Sequence, residues 1–109
     1  MSELPPFMKT REEAIAYTVA EVIGDILRCY DLLTEHHYDA VLMEIRTYLK
    51  PDLDRLERLV GKPLEHCRKA YDDVIACFRA KIYEASKTYF HILAKNVCIE
   101  PYQVLAGSK

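Results

Sequence analysis

Apolar side chains return every three or four residues along most of this chain, the period of one face of an α-helix. The longest such stretch runs from Pro63 to Lys95. Leu64, Cys67, Tyr71, Val74, Phe78, Ile82, Ala85, Tyr89 and Ile92 mark its stripe, and Ile75, Cys77, Phe90 and Leu93 widen it. No Gly or Pro interrupts the interval after Pro63. Proline suits a first helical position, where its missing N–H costs no bond. Asn96 suits a stop, because asparagine tolerates the left-handed cap conformation. The pattern predicts one helix over 63–95, about 50 Å long at the standard rise. Its broad apolar face predicts several neighbours and a place at the centre of the molecule.

Shorter periodic stretches precede it. Thr10 with Glu13 three residues later reads as a capping box. The stripe behind it is Ile15, Val19, Val22, Ile26, Cys29 and Leu33. Gly24 inside this helix is expected to mark a close approach of another helix. Thr34 reads as a second N-cap, opening a helix to about Leu49 with Tyr38, Val41, Leu42, Ile45, Tyr48 and Leu49 on its apolar face. Lys50-Pro51 should end it, since the residue before proline avoids helical dihedrals. Leu53, Leu56, Leu59 and Val60 then form a short third helix stopped at Gly61. Residues 1–9, with Pro5-Pro6, read as an extended lead-in. Residues 97–109 read as a docked or extended tail carrying Val97, Ile99, Tyr102, Val104 and Leu105. No strand alternation occurs. The expected fold is a single all-α domain, a compact four-helix bundle of helices of about 23, 15, 10 and 33 residues with one long central C-terminal helix.

Composition narrows the function. Half of the 109 residues are hydrophobic, enough for one core. A net charge of −2 argues against a generic nucleic-acid coat, which needs a basic surface. Residues 1–50 hold nine acids and five bases, and residues 63–96 hold four acids and six bases. The two halves therefore attract each other, offer unlike faces to partners, or are simply solvated. No apolar run spans a membrane, and the expectation is a soluble, cytoplasmic protein. Cys29, Cys67, Cys77 and Cys98 form no CxxC pair, so a zinc site is not expected and buried thiols are. The chain has one Asn and one Gln, a scarcity of thermolabile amides that points to a thermophile. Intracellular disulfides occur in such organisms. A bridge from Cys29 to Cys67 or Cys77 stays open. Cys67 and Cys77 cannot pair along one straight helix, at about 15 Å of rise.

Catalytic chemistry finds little support. Glu35-His36-His37 with Asp39 suggests a metal, but adjacent helical residues diverge by about 100°, and no Glu-x-x-His pair is present. His66 beside Cys67, and His91 near Glu84, would serve a thiol enzyme only if burial were low and a base adjacent. Three glycines form no phosphate loop. A HEPN-type nuclease would carry an arginine four to six residues before a histidine. Arg28 to His36 and Arg58 to His66 are both spaced too far. On the long stretch, spacing pairs Arg68 with Asp72, Lys69 with Asp73, and Lys87 with Glu84. Arg79 and Lys81 are freer, and with Ile82, Tyr38 and Tyr48 they are the expected interface residues. No catalytic residue, cofactor or metal is expected.

The segment Val74-Ile75-Ala76-Cys77-Phe78-Arg79-Ala80-Lys81-Ile82-Tyr83-Glu84-Ala85 resembles the central helix of GINS replication-complex subunits. His37-Tyr38-Asp39-Ala40-Val41 and Tyr48-Leu49 fall where that family tends to open a short aromatic-led helix. The likeness covers residues 12–95 loosely. The family usually adds a small β-rich module, for which residues 97–109 are too short. The resemblance implies a structural, archaeal-type subunit of a DNA-replication complex, assembled through helix faces and without catalysis. The function expected is a non-enzymatic assembly or adaptor protein with protein partners or copies of itself. The alternatives are a nucleic-acid-associated regulator of viral or mobile-element type, and a HEPN-like nuclease.

Overall fold

Thr10 starts the first helix as its spacing from Glu13 predicts. In the computed structural model, which describes residues 10–107, Thr10 is extended and its hydroxyl accepts the Glu13 N–H at 3.1 Å. The same hydroxyl donates to the Glu13 carboxylate at 3.1 Å. Helix α1 (Arg11–Thr34) buries Ile15, Val22, Ile26, Cys29 and Leu33. The predicted extended lead-in, 1–9, lies outside the described residues.

Thr34 does not open a second helix. It closes α1, and its hydroxyl donates back to the Tyr30 carbonyl at 3.0 Å. His36, at φ 63°, turns the chain. Its N–H reaches the Leu33 carbonyl at 3.0 Å, and the His37 N–H reaches the Leu32 carbonyl at 2.9 Å. These two bonds form a Schellman stop with histidine where glycine is usual. Helix α2 (Tyr38–Glu44) follows without a side-chain cap.

Lys50-Pro51 does not end this helix. The chain passes through a π-helical turn (Ile45–Leu49) straight into α3 (Lys50–Val60). The Lys50 N–H reaches back five residues to the Ile45 carbonyl. Proline inside a helix lacks one donor and crowds the carbonyl four residues back. The wider π turn just before Pro51 takes up that crowding. The stop falls at Gly61, as predicted, with φ 84° and its N–H on the Glu57 carbonyl at 2.8 Å. The Arg11 guanidinium donates to the Leu59 and Val60 carbonyls, a cation on the negative end of the helix.

The stretch 63–95 is not one helix but parts of two, α4 (Glu65–Arg79) and α5 (Ser86–Gly107). Lys81, at φ 61°, makes a second Schellman stop. The Lys81 N–H donates to the Phe78 carbonyl at 3.2 Å, and the Ile82 N–H to the Cys77 carbonyl at 3.0 Å. A short 3-10 turn (Tyr83–Ala85) leads into α5. Asn96 is no stop, since α5 runs on through it. Residues 97–107, expected as a docked or extended tail, are helical. They bury Val97, Glu100 and Pro101. Pro63 lies before α4, and Leu64 takes the N-cap position.

The result is an all-α bundle of four rods: α1, the fused α2–π–α3, α4 and α5. No strand occurs among the described residues. The central element is α5, which packs on α1, α3 and α4. Its Phe90, Leu93 and Val97 are fully buried, whereas Ile92, predicted on the buried stripe, is 42 % exposed. Helix α4 packs chiefly on α5. Two side chains fasten it further. Glu100 of α5 accepts the His66 and Cys67 N–H groups at 2.8 and 2.9 Å, capping α4 from another helix. Arg68 bonds Asp54 and Glu57 of α3, rather than Asp72 as its spacing suggests. Lys69–Asp73 at 3.0 Å and Lys87–Glu84 at 2.8 Å do form. Gly24 marks no close approach, for nothing lies within 4 Å of the Cβ it lacks. No described helix is long and apolar enough to cross a membrane.

Candidate functional site

Tyr71, Ile75 and Phe78 recur at helical spacing and share one face of α4. Leu42 and Ile45 stand on α2 and the π turn. Because α4 leans on α5 and not on α2, these two apolar faces do not close on each other. They line a groove of about 580 Å³, with Arg46, Asp72 and Arg79 also on its walls. Arg46 and Arg79 are exposed. Neither makes an ion pair among the described residues. The Tyr71 phenol is half-buried, and burial pushes its pKa above the ordinary tyrosine value, so it stays neutral. The groove therefore has an apolar floor and two uncommitted guanidiniums, one from each wall.

One end of this groove is built from the two glycine-free turns. Phe78 meets the edge of Tyr83 at 5.3 Å, and Tyr83 stacks on Tyr38 at 4.1 Å and 15°. The Tyr38 hydroxyl donates to Glu84 Oε2 at 3.2 Å and lies 3.0 Å from His36 Nδ1. Desolvation and the Glu84 carboxylate both raise the Tyr38 pKa. Glu84 is held below the usual carboxylate range, chiefly by the Lys87 ammonium. The same ammonium lies 5.8 Å from the Tyr30 ring centre. The stacked rings and shared carboxylate thus join the turn at His36 to the turn at Lys81.

Of the five expected interface residues, four come together here. Arg79 lies on the groove, Lys81 and Ile82 form the adjacent turn, and Tyr38 packs on Tyr83. Ile82 is 55 % exposed. Tyr48 stands apart, on the side of α1, with the Arg28 guanidinium 5.8 Å over its ring. Arg46 was missed, though it carried the same signal as Arg79: no opposite charge three or four residues away. The spacing places Leu42, Ile45, Tyr71, Ile75 and Phe78 in the core; Ile45 and Phe78 are buried there, while Leu42, Tyr71 and Ile75 are only partly buried against it. Periodicity alone does not tell a filled face from one left half open.

Cys29, Cys67, Cys77 and Cys98 are all free thiols, so the bridge left open from Cys29 to Cys67 or Cys77 is not formed. Burial raises the Cys29 thiol to about 12 and raises Cys67 and Cys77 as well. No histidine bonds these thiols among the described residues. Arg28 is engaged by Asp25 and Glu44, while His36 faces Tyr38 and Glu84, so this Arg–His pair is not joined. Among the described residues no His, Cys, Asp and Glu group is placed to hold a metal ion. Compared with family models, with curated proteins and with solved structures, the chain finds no match.

Proposed function

We propose that this chain is a non-enzymatic assembly or adaptor module that receives a segment of a partner protein in the groove between α2 and α4. The observation that carries this reading is the pairing of an apolar floor with two uncommitted arginines, Arg46 and Arg79. A helix laid in such a groove buries apolar anchors at three- and four-residue spacing. Its carboxylates would meet the guanidiniums at the rim, which steers encounter and fixes register. Lys81 beside the groove adds to the attraction. The partner segment that fits is amphipathic and acidic.

The test is affinity capture from the native organism with the wild-type chain and an R46E/R79E variant. Wild type should retain a defined protein at fixed stoichiometry. The double reversal should lose it while keeping its circular dichroism and its unfolding midpoint. Equal capture by both proteins, or a monomer that retains nothing, overturns the proposal. Recovery of replication proteins would add the specific role implied by the GINS resemblance. Self-association shows instead as a concentration-dependent mass in light scattering.

A further inference from the structure

Away from the groove, α1 and α3 carry opposed acids into their shared core. Asp25 is 2 % exposed and Asp52 is 8 % exposed. Each is held by an arginine on its own helix: Arg28 donates to Asp25 Oδ1 at 2.6 Å, and Arg55 to Asp52 Oδ1 at 2.8 Å. Both arginines are shared. Arg28 also donates to Glu44 of α2 at 3.0 Å, and Arg55 to Glu21 of α1 at 3.1 Å. Four carboxylates thus stand around two guanidiniums, leaving two negative charges in excess if all are ionised. Asp25 Oδ2 is buried and has no hydrogen-bond partner among the described residues. Asp52 stands on α3 against this part of α1, for the Arg55 that holds it also reaches Glu21, one helical turn from Asp25. Two ionised carboxylates have no hydrogen to share between the two helices.

We propose that this pair is a proton-binding site: in the folded protein Asp25 holds a proton on Oδ2 and donates it to the Asp52 carboxylate, fastening α1 to α3. One added proton satisfies the orphan oxygen and halves the excess charge. A cation is the other way to neutralise facing carboxylates, and the donor set here does not make a metal site. The charged groups acting on Asp25 come from three elements: Arg28 on α1, Glu44 on α2 and Asp52 on α3. Their balance agrees with the proposal. Burial is the largest influence, followed by the Asp52 bond and charge, and together they outweigh Arg28 and push Asp25 up to about 8.

The sign follows from linkage. The folded state keeps this proton to about pH 8, while the unfolded chain releases it near 3.8. The contribution to stability is complete below 3.8 and is lost as pH rises through about 8. The test is urea unfolding of the full chain across that interval, with infrared spectra of protein labelled with 13C-aspartate. Wild type should show the carbonyl stretch of a protonated carboxylic acid at neutral pH, moved by the label. Its unfolding midpoint should fall toward alkaline pH. In D25N the amide donates to Asp52 without a titrating proton, so the band should vanish and the fall should flatten. In D52N the like charge is gone, and the Asp25 titration should move to lower pH. Absence of the band from wild type overturns the proposal, as does its survival in D25N. So does a magnesium- or calcium-dependent rise in the wild-type midpoint that D25N abolishes. If D25N fails to fold, the wild-type and D52N spectra decide.

Discussion

Single side chains set both the shape and the cost of this fold. Lys81 holds a left-handed backbone that disfavours residues with a Cβ by about 1–2 kcal/mol. Lys81→Gly should therefore raise stability, by up to about 1 kcal/mol after the added entropy of the unfolded chain is counted. A lower urea midpoint for this variant would show that the lysine side chain outweighs its backbone strain. Glu100 is the opposite case, a buried carboxylate whose position is stabilising. It satisfies two N–H groups at the start of α4, where backbone donors otherwise lack partners and negative charge is favoured. Glu100→Ala should cost about 3 kcal/mol, because two charge-assisted bonds are lost and the donors stay buried. Glu100→Gln keeps one accepting oxygen and should cost less. Undiminished stability in Glu100→Gln beside a loss in Glu100→Ala in chemical denaturation would mean that Glu100 acts by packing alone.

Elements differed in how well they could be read. The faces of the helices were legible, since Ile15, Val22, Ile26, Cys29 and Leu33 on α1 are buried as their spacing requires. The ends were legible only where glycine or a side-chain cap marks them, at Thr10 and Gly61. The stops at His36 and Lys81 were hidden. Each takes its hydrogen bonds from the backbone and places a bulky residue where glycine would announce a turn. Pro51 misled in the other direction, because the π turn before it lets the helix continue. Arg79 stood out in sequence through its lack of an intrahelical partner, and Lys81 has only Glu84 at that spacing, an acid that Lys87 shares. Arg79 and Lys81 are neighbours in space because the chain turns there, not because a long helix displays them. Arg46 joined them only through the tertiary gap between α2 and α4, which depends on α5 drawing α4 to itself.

At the scale of the whole molecule, α5 is the axis and α4 an arm held against it. The contacts of α4 run chiefly to α5, with Arg68 and Glu100 as fastenings near its first turns. At its far end the Lys81 turn is strained, and one side faces the open groove. Such an arrangement ranks the helices by resistance to opening. Amide hydrogens of α4 should exchange with solvent deuterium sooner than those of α1 or the buried part of α5, beginning near Arg79 rather than near Cys67. Uniform exchange across all four rods would show that the bundle opens only as a whole. A partner held by Arg46 and Arg79 would span the fixed and the yielding wall at once. Its arrival would then be visible as slowed exchange along α4, so that the most loosely held helix becomes the gauge of occupancy.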